Sequence, residues 1–144
     1  MTKPVPALSD FPVLSSDKLR FGDTDAFGHI NNAAFSTFFE TGRTDLFNRA
    51  FGGTGRGGFI FVLASLRIDF LREMAWPGET RVGSVLSRVG NSSLVFEQVL
   101  FQQGELCATA TGTMVQLDPQ SRKPTPLSDP LRAVFMSLSR PQTA

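Results

Sequence analysis

The sequence contains little of the chemistry that several functional classes require. Its 144 residues include one cysteine, Cys107, and one histidine, His29. A single cysteine excludes an internal disulfide and fits a reducing compartment, so we expect a cytoplasmic protein. Because the histidine and the cysteine lie far apart in the chain, we expect no structural zinc site. No Gly-x-Ser-x-Gly turn is present to supply the serine of a catalytic triad. We expect neither a metal nor a separate cofactor.

The chain also lacks a charge imbalance and a long apolar run. The net charge is +1, so no field of one sign exists to attract nucleic acid or an anionic membrane. No apolar run approaches the roughly 18 residues of a membrane span, and residues 1–10 lack the apolar stretch of a secretory signal. Hydrophobic residues make up 41% of the chain and charged residues 19%, as in ordinary globular proteins. A small, mostly apolar ligand is the favoured partner.

The length fits a single domain, residues 1–144. Residues 1–16 are rich in proline and serine and predict a loose lead-in. Residues 118–130 contain four prolines and predict a connector. We expect both segments to lie outside the core, and residues 131–138 to form a short C-terminal helix.

A long helix is predicted to follow Asn31 or Asn32, because an asparagine side chain can accept a hydrogen bond from a free N–H in the first turn. Its apolar residues recur at helical spacing and predict one buried face. These are Phe35, Phe38, Phe39, Leu46 and Phe47, with Gly42 in the same stripe. Glycine costs about 1 kcal/mol against alanine inside a helix. We therefore expect another backbone, such as a wrapped sheet, to approach Gly42 closely, with simple tolerance as the alternative.

The remaining segments predict strands. A short strand is expected at residues 18–21, before the helix. After the helix the apolar period changes to two, and four long strands are expected at 59–70, 80–89, 94–101 and 106–117. The short links between the last three imply antiparallel neighbours. The fold class is therefore α+β, with one helix against one antiparallel sheet.

Reactive side chains are concentrated in residues 20–32, which contain two aspartates, the histidine and two asparagines. This segment leads directly into the predicted helix N-terminus, where free N–H groups and the positive end of the dipole can polarise a carbonyl or hold an anion. Reactive groups and an oxyanion site are thus predicted together. The alternative is that the aspartates and asparagines serve only as helix caps.

The residues from Gly22 to Asn32, in order Gly-Asp-Thr-Asp-Ala-Phe-Gly-His-Ile-Asn-Asn, are followed by Phe38-Phe39-Glu40 and Arg43. This pattern resembles the 4-hydroxybenzoyl-CoA thioesterase-like family of hotdog-fold proteins. Segments 76–79 and 88–93 extend the resemblance over nearly the whole chain. It implies a long central helix wrapped by an antiparallel sheet, in a homodimer or homotetramer. Sheets joined edge to edge would place the active sites at the interface.

The resemblance also implies residue roles. Asp25 would act as general base or nucleophile at the thioester carbon, His29 would be the second polar residue, and Asp23 would be structural. The oxyanion would be received by the backbone N–H groups of Asn31, Asn32 and Ala33.

The candidate substrate-binding residues are Gly57, Gly58, Phe59, Arg88, Gly90, Asn91, Ser92 and Ser93. Gly57 and Gly58 would let the backbone approach the acyl thioester closely. Arg88 and the hairpin of residues 90–93 would lie near coenzyme A. The alternative for Arg88 is a solvated strand face.

The predicted activity is hydrolysis of an acyl-CoA or acyl-carrier-protein thioester to the free acid and a thiol, with coenzyme A entering only as part of the substrate. Two alternatives remain open: a hotdog dehydratase or hydratase on acyl thioesters, and a non-catalytic acyl-CoA binding protein. Glu40 is a minor candidate for the catalytic carboxylate, with an ion pair to Arg43 as its competing role.

Overall fold

One long helix lies across one face of a five-stranded antiparallel sheet in the computed structural model, which describes residues 5–52 and 60–140. The strands run in the order β1-β3-β4-β5-β2, so that β1 and β2 form the two edges. This is the arrangement that the hotdog resemblance implies. The elements are β1 (Val13–Lys18), α1 (Asn32–Phe51), β2 (Ile60–Phe70), β3 (Glu79–Val89), β4 (Ser93–Gln102), β5 (Glu105–Leu117) and α2 (Asp129–Ser137).

The ends of α1 follow from local chemistry. Asn31 is the N-cap, and its side chain accepts a hydrogen bond from the Ala33 N–H. The helix ends at Gly52, whose φ of 63° lies in the left-handed region that glycine adopts without strain. The predicted buried face is confirmed, since all of its members are buried: Phe35, Phe38, Phe39, Gly42, Leu46 and Phe47.

Gly42 marks the closest approach between helix and sheet. A Cβ atom there would lie 2.7 Å from Gln98 Nε2, 2.7 Å from Val82 Cγ1 and 2.8 Å from Ser84 Oγ. The predicted close approach is therefore present, although side chains of β3 and β4 make it and not a second backbone. Gln98 Nε2 also donates to the Phe39 carbonyl and to Ser84 Oγ, each at 2.9 Å. This buried amide holds the helix to the sheet beside the glycine.

The first strand lies earlier in the chain than residues 18–21, where the sequence predicted it. β1 covers Val13–Lys18 and pairs with β3. The prediction was wrong because two consecutive serines hid the alternation, in which Val13 and Ser15 are buried while their neighbours are exposed. Residues 1–16 therefore do not all lie outside the core.

Two other predicted boundaries also shift. Phe11 is buried on the outer face of the sheet with Val85, Val99 and Phe101, because it covers that face ahead of β1. Within the predicted connector 118–130, Leu127 is buried in the same core cluster as α2. The C-terminal helix begins at Asp129 instead of residue 131, since the Ser128 side chain accepts from Leu131 N and caps it earlier.

The helix does not cover the whole sheet. α1 lies against β1, β3 and β4, and it reaches the edge strand β2 through aromatic side chains. Phe47 and Phe61 have ring centroids 4.9 Å apart, and Phe35 and Phe70 have centroids 5.2 Å apart. A groove between α1 and β2 therefore has aromatic contacts near each end.

We expect Gly42→Ala to lower the free energy of unfolding. Overpacking against Gln98 and Val82 typically costs about 1–3 kcal/mol. It outweighs the gain of about 1 kcal/mol in helix propensity, so the net loss should reach about 2 kcal/mol. Urea unfolding monitored by circular dichroism measures it. Thr37→Ala, at an exposed position of the same helix, is the control and should change stability by no more than about 0.5 kcal/mol. Equal or greater stability of Gly42→Ala would contradict the close approach.

Candidate active site

Asp23 holds the turn that precedes the helix. It is 7% exposed, and its carboxylate accepts from the Arg20 backbone N–H at 2.9 Å and from Arg20 Nη2 at 3.0 Å. The hydrogen bond from the Arg20 side chain is the main reason why the pKa of Asp23 is lowered from its ordinary value. The Asp23 carbonyl also accepts from Asn31 N at 2.8 Å. These contacts agree with the structural role that the resemblance gives to Asp23.

A tight loop brings the backbones of Asp25 and His29 together. Asp25 N donates to the His29 carbonyl at 2.9 Å, and Gly28 N donates to the Asp25 carbonyl at 3.1 Å. The φ of Gly28 is 87°, a conformation that favours glycine. Asp25 Oδ1 accepts from Phe27 N at 2.9 Å, which fixes the carboxylate. Asp25 Oδ2 has no hydrogen bond within the described part of the chain.

The helix start offers fewer free donors than the sequence predicted. Asn31 N donates to the Asp23 carbonyl, and Ala33 N donates to Asn31 Oδ1 at 3.0 Å. Both N–H groups are therefore occupied by the turn and the cap. Asn32 N has no partner among the residues that the structure describes. Three backbone N–H groups were predicted to receive the oxyanion, those of Asn31, Asn32 and Ala33. Only the Asn32 N–H group is left without a partner among the described residues.

Glu73 is a site residue that the sequence reasoning missed. Its Oε2 lies 2.8 Å from His29 Nε2, and the two side chains are 73% and 42% exposed. Glu73 follows the end of β2, where Arg72 and Glu73 interrupt the apolar pattern before Met74. That interruption is the only feature of the local sequence that points to Glu73. The contact with His29 depends on the fold, because Ile30 N donates to the Met74 carbonyl at 2.8 Å and ties the two segments together.

These groups line one cavity of about 570 Å³. Its apolar wall includes Phe35 and Phe70, and its polar side is formed by Asp25, His29, Asn32, Arg72 and Glu73. The volume is in the range of small-molecule sites, and an apolar wall with a few convergent polar groups is typical of them. The arrangement can hold a carbonyl against a carboxylate and a helix N-terminal N–H group.

Comparison with known proteins identifies the family. A model of the thioesterase-like superfamily matches residues 19–135. The chain belongs to the thioesterase-like superfamily. The predicted hotdog fold and the prediction of a thioester hydrolase are confirmed. Membership of the 4-hydroxybenzoyl-CoA thioesterase-like family within this superfamily stays a prediction.

Three relatives of this thioesterase-like chain cover most of its length. A Thermus thermophilus thioesterase, solved in complex with coenzyme A and zinc, is 33% identical, with a TM-score of 0.81 over 92% of this chain and 98% of that one. The PA5185 protein of Pseudomonas aeruginosa is 28% identical, with a TM-score of 0.82 over 94% and 97%. The uncharacterized protein YsmA of Bacillus subtilis is 32% identical over 80% of this chain and 79% of that protein.

The predicted substrate-binding residues of the hairpin between β3 and β4 are not near Asp25 in this thioesterase-like chain. Ser93 pairs with Val115, which pairs with Val62, whereas the cavity lies at Phe70, the other end of β2. At about 3.3 Å per residue, Val62 and Phe70 are about 26 Å apart along β2. The hairpin of Gly90, Asn91, Ser92 and Ser93, with Arg88 beside it, thus lies at the far end of the sheet.

The hairpin contacts the C-terminal segment instead. Arg132 donates to the Gly90 and Asn91 carbonyls at 2.9 and 3.2 Å, and Leu127 N donates to the Asn91 carbonyl at 2.9 Å. Gly57, Gly58 and Phe59 lie outside the described residues. A link between any of these groups and the cavity therefore remains a prediction.

Neither a metal site nor a membrane helix is found in residues 5–52 and 60–140. No group of three or more His, Cys, Asp and Glu side chains there is placed to hold a metal ion. Within the same residues, no helix is long and apolar enough to cross a bilayer.

Proposed function

We propose that this chain hydrolyses an acyl-CoA thioester to the free acid and coenzyme A, with Asp25 as the catalytic carboxylate. The observation that carries the proposal is the cavity in which Asp25, His29 and the unoccupied Asn32 N–H group meet. Hydrolysis of a thioester needs a base or nucleophile on one side of the carbonyl carbon and a donor for the oxyanion on the other. The cavity supplies both.

Asp25 is suited to either of two routes. Phe27 N holds Oδ1, and Oδ2 is left to face the substrate. As a general base, the carboxylate takes a proton from water as the water oxygen attacks the carbonyl carbon. As a nucleophile, it attacks the carbon itself, and water then hydrolyses the mixed anhydride. Both routes pass through a tetrahedral oxyanion and release the thiolate of coenzyme A, which takes up a proton.

Asn32 would receive that oxyanion. Its N–H group lies in the first turn of a helix of 20 residues, where the dipole adds positive potential. A preorganised donor of this kind typically contributes about 3 kcal/mol to stabilisation of the transition state. The Asn31 cap helps indirectly, because it occupies the neighbouring Ala33 N–H group and fixes the first turn.

Glu73 acts through His29 as a positioning residue. When His29 Nε2 carries a proton, it donates to the Glu73 carboxylate 2.8 Å away. This bond fixes the ring orientation and the tautomer beside Asp25. The imidazole can then orient the attacking water or the carboxylate.

The thioester would be carried by coenzyme A or by an acyl carrier protein. Coenzyme A is favoured because the Thermus thioesterase, 33% identical, was solved with coenzyme A bound. The sequence resemblance leaves the acyl group open, and the aromatic wall formed by Phe35 and Phe70 is compatible with an aromatic or an aliphatic one. A panel of short, medium, long and aromatic acyl-CoAs with free-thiol detection tests the activity. A dehydratase or hydratase would alter the acyl group without releasing thiol, and a binding protein would do neither.

Asp25→Asn should lower kcat by about a hundredfold or more, because it removes the carboxylate that serves as base or nucleophile. Steady-state hydrolysis of the best acyl-CoA in the panel measures the change. Asp23→Asn, the same substitution two residues away, should cost less catalytically because Asp23 holds the turn. Hydrolysis by Asp25→Asn near the wild-type rate would refute the assignment.

His29→Ala should lower kcat by less than Asp25→Asn does, because an orienting residue leaves the base in place. Glu73→Gln should lower it less again. Since Glu73 works through His29, the double variant should be close to His29→Ala alone, which a double-mutant cycle on kcat measures. Additive losses would show that Glu73 acts independently, and a loss in His29→Ala as large as in Asp25→Asn would make His29 the principal catalyst.

The active form should be a dimer or a larger assembly with a shared site. β2 is an edge strand of 11 residues whose outer backbone groups face no other strand of the described sheet. Long unpaired edges favour pairing with another chain. If two β2 strands pair antiparallel, the far end of the partner's sheet, with its Gly90–Ser93 hairpin, comes beside the Asp25 cavity. This supports a role for that hairpin in binding coenzyme A across the interface.

Activity should fall in step with dissociation. Sedimentation equilibrium, paired with specific activity at decreasing protein concentration, measures both quantities on the same sample. A folded, fully active monomer would contradict the shared site. The circular dichroism spectrum of the dilute protein distinguishes loss of assembly from loss of fold.

A further inference from the structure

Arg43 is a buried cation with an unused hydrogen-bond donor. It lies in the middle of α1 and is 8% exposed. Its Nη1 is buried and has no hydrogen-bond partner within residues 5–52 and 60–140, and its guanidinium carbon lies 5.3 Å from the centroid of the Phe96 ring. The predicted ion pair with Glu40 does not form among the described residues, and Glu40 is exposed. The guanidinium thus lies over the Phe96 ring and forms no ion pair with any residue that the structure describes.

Arg43 lines a second cavity, of about 230 Å³, in the groove between α1 and β2. Phe47, Phe61, Leu63 and Met114 supply apolar walls, and Thr44 lies at the exposed side. The cavity therefore combines an apolar wall with Arg43 as a buried cation and with the exposed side chains of Glu40 and Thr44. A buried charge is costly unless it is paired, so the cavity is suited to an anion on an apolar stem.

A carboxylate matches this site better than other anionic groups on metabolic acyl chains. The planar guanidinium presents N–H groups in a fork that fits the two oxygens of a carboxylate. Glu40 is the other charge at the cavity, and its exposure to solvent weakens its repulsion of a bound anion. The Thr44 hydroxyl offers a further donor at the same side.

The Arg43 cavity and the Asp25 cavity lie near opposite ends of β2. The Asp25 cavity lies at Phe70, the end of β2, and the Arg43 cavity lies at Phe61 and Leu63, near its beginning. Within one protomer, Asn32 and Arg43 are separated by about 16 Å along the helix axis. Antiparallel pairing of two β2 strands brings the beginning of the partner's strand beside the end of the first. The partner's Arg43 cavity then lies next to the Asp25 cavity, where the acyl group must go.

We infer that the Arg43 cavity binds a carboxylate at the end of the acyl group distal to the thioester, so that the substrates are CoA thioesters of dicarboxylic acids. The inference rests on the proposed thioester hydrolysis and on the shared site, and it names the acyl class. The apolar walls hold the methylene chain, and Arg43 receives the terminal carboxylate that a monocarboxylic acyl group lacks.

Paired substrates of equal chain length test the inference on the intact protein. Adipyl-CoA is compared with hexanoyl-CoA, suberyl-CoA with octanoyl-CoA, and sebacyl-CoA with decanoyl-CoA. In at least one pair the dicarboxylic member should have a kcat/KM higher by about tenfold or more, mainly through a lower KM, because a hydrogen-bonded charge pair replaces an unpaired cation. An absence of preference in every pair would overturn the inference.

Arg43→Met should lower the ratio of dicarboxylic to monocarboxylic kcat/KM by about tenfold, and Arg43→Lys should retain part of it, since the charge remains without the fork. Arg49→Met is the matched control. It removes one positive charge from the same helix, where the side chain donates to the Pro12 carbonyl instead, and the ratio should stay at the wild-type value. An unchanged ratio in Arg43→Met would overturn the inference, and if that variant does not fold, the wild-type ratios decide.

Calorimetric titration of the wild-type protein with free adipate, suberate and sebacate gives a readout that needs no catalysis. Binding of at least one dicarboxylate, weakened in Arg43→Lys, is the expected result. If no acyl-CoA of the panel or of the pairs is hydrolysed, the proposed function fails, while this titration still tests the Arg43 site. If hydrolysis occurs without dicarboxylate preference or binding, the function stands and the Arg43 inference fails.

Discussion

The seating of α1 on the sheet at Gly42 is the constraint on which the rest of the structure depends. A residue with no side chain lets Gln98 reach the Phe39 carbonyl from β4, which fixes the height and rotation of the helix. With the helix held over β1, β3 and β4, its N-terminus is directed to the end of the sheet where the Asp25 loop is anchored. The same seating leaves the groove along β2 open. The position of both cavities thus follows from one close contact.

Asp23 and Asp25 lie two residues apart, and their carboxylates have different surroundings. Asp23 is buried and bonded to Arg20, so it remains ionised and is occupied by the turn. Asp25 is half-buried, with one oxygen held by Phe27 N and the other left open. Two residues of separation are enough because the turn of Phe21–Asp23 points the first side chain inward and the second toward the cavity. The environment of each carboxylate decides its role.

The sequence was sufficient for features that depend on local patterns. The apolar stripe of α1, the Asn31 cap and the alternating strands each leave a periodic or positional signal, and the order of elements followed from them. It was insufficient where distant segments meet. Glu73 approaches His29 only because the Ile30 to Met74 hydrogen bond joins loop and strand end. The sequence also does not show which N–H groups at the helix start are occupied by the turn and by the cap, so it could not single out Asn32. The position of β1 was predicted wrongly because serines masked its buried positions.

The open edge of β2 also affects the tendency of the chain to aggregate. Its second half carries Arg67 and Asp69, whose side chains are 79% and 51% exposed, and charges of this kind discourage unwanted pairing. Its first half, residues 60–66, carries no charge and includes the exposed Leu63. An uncharged, β-branched and aromatic segment on an open edge is a template for aggregation. The same half strand that lines the Arg43 cavity is therefore prone to aggregation as long as its edge stays uncovered.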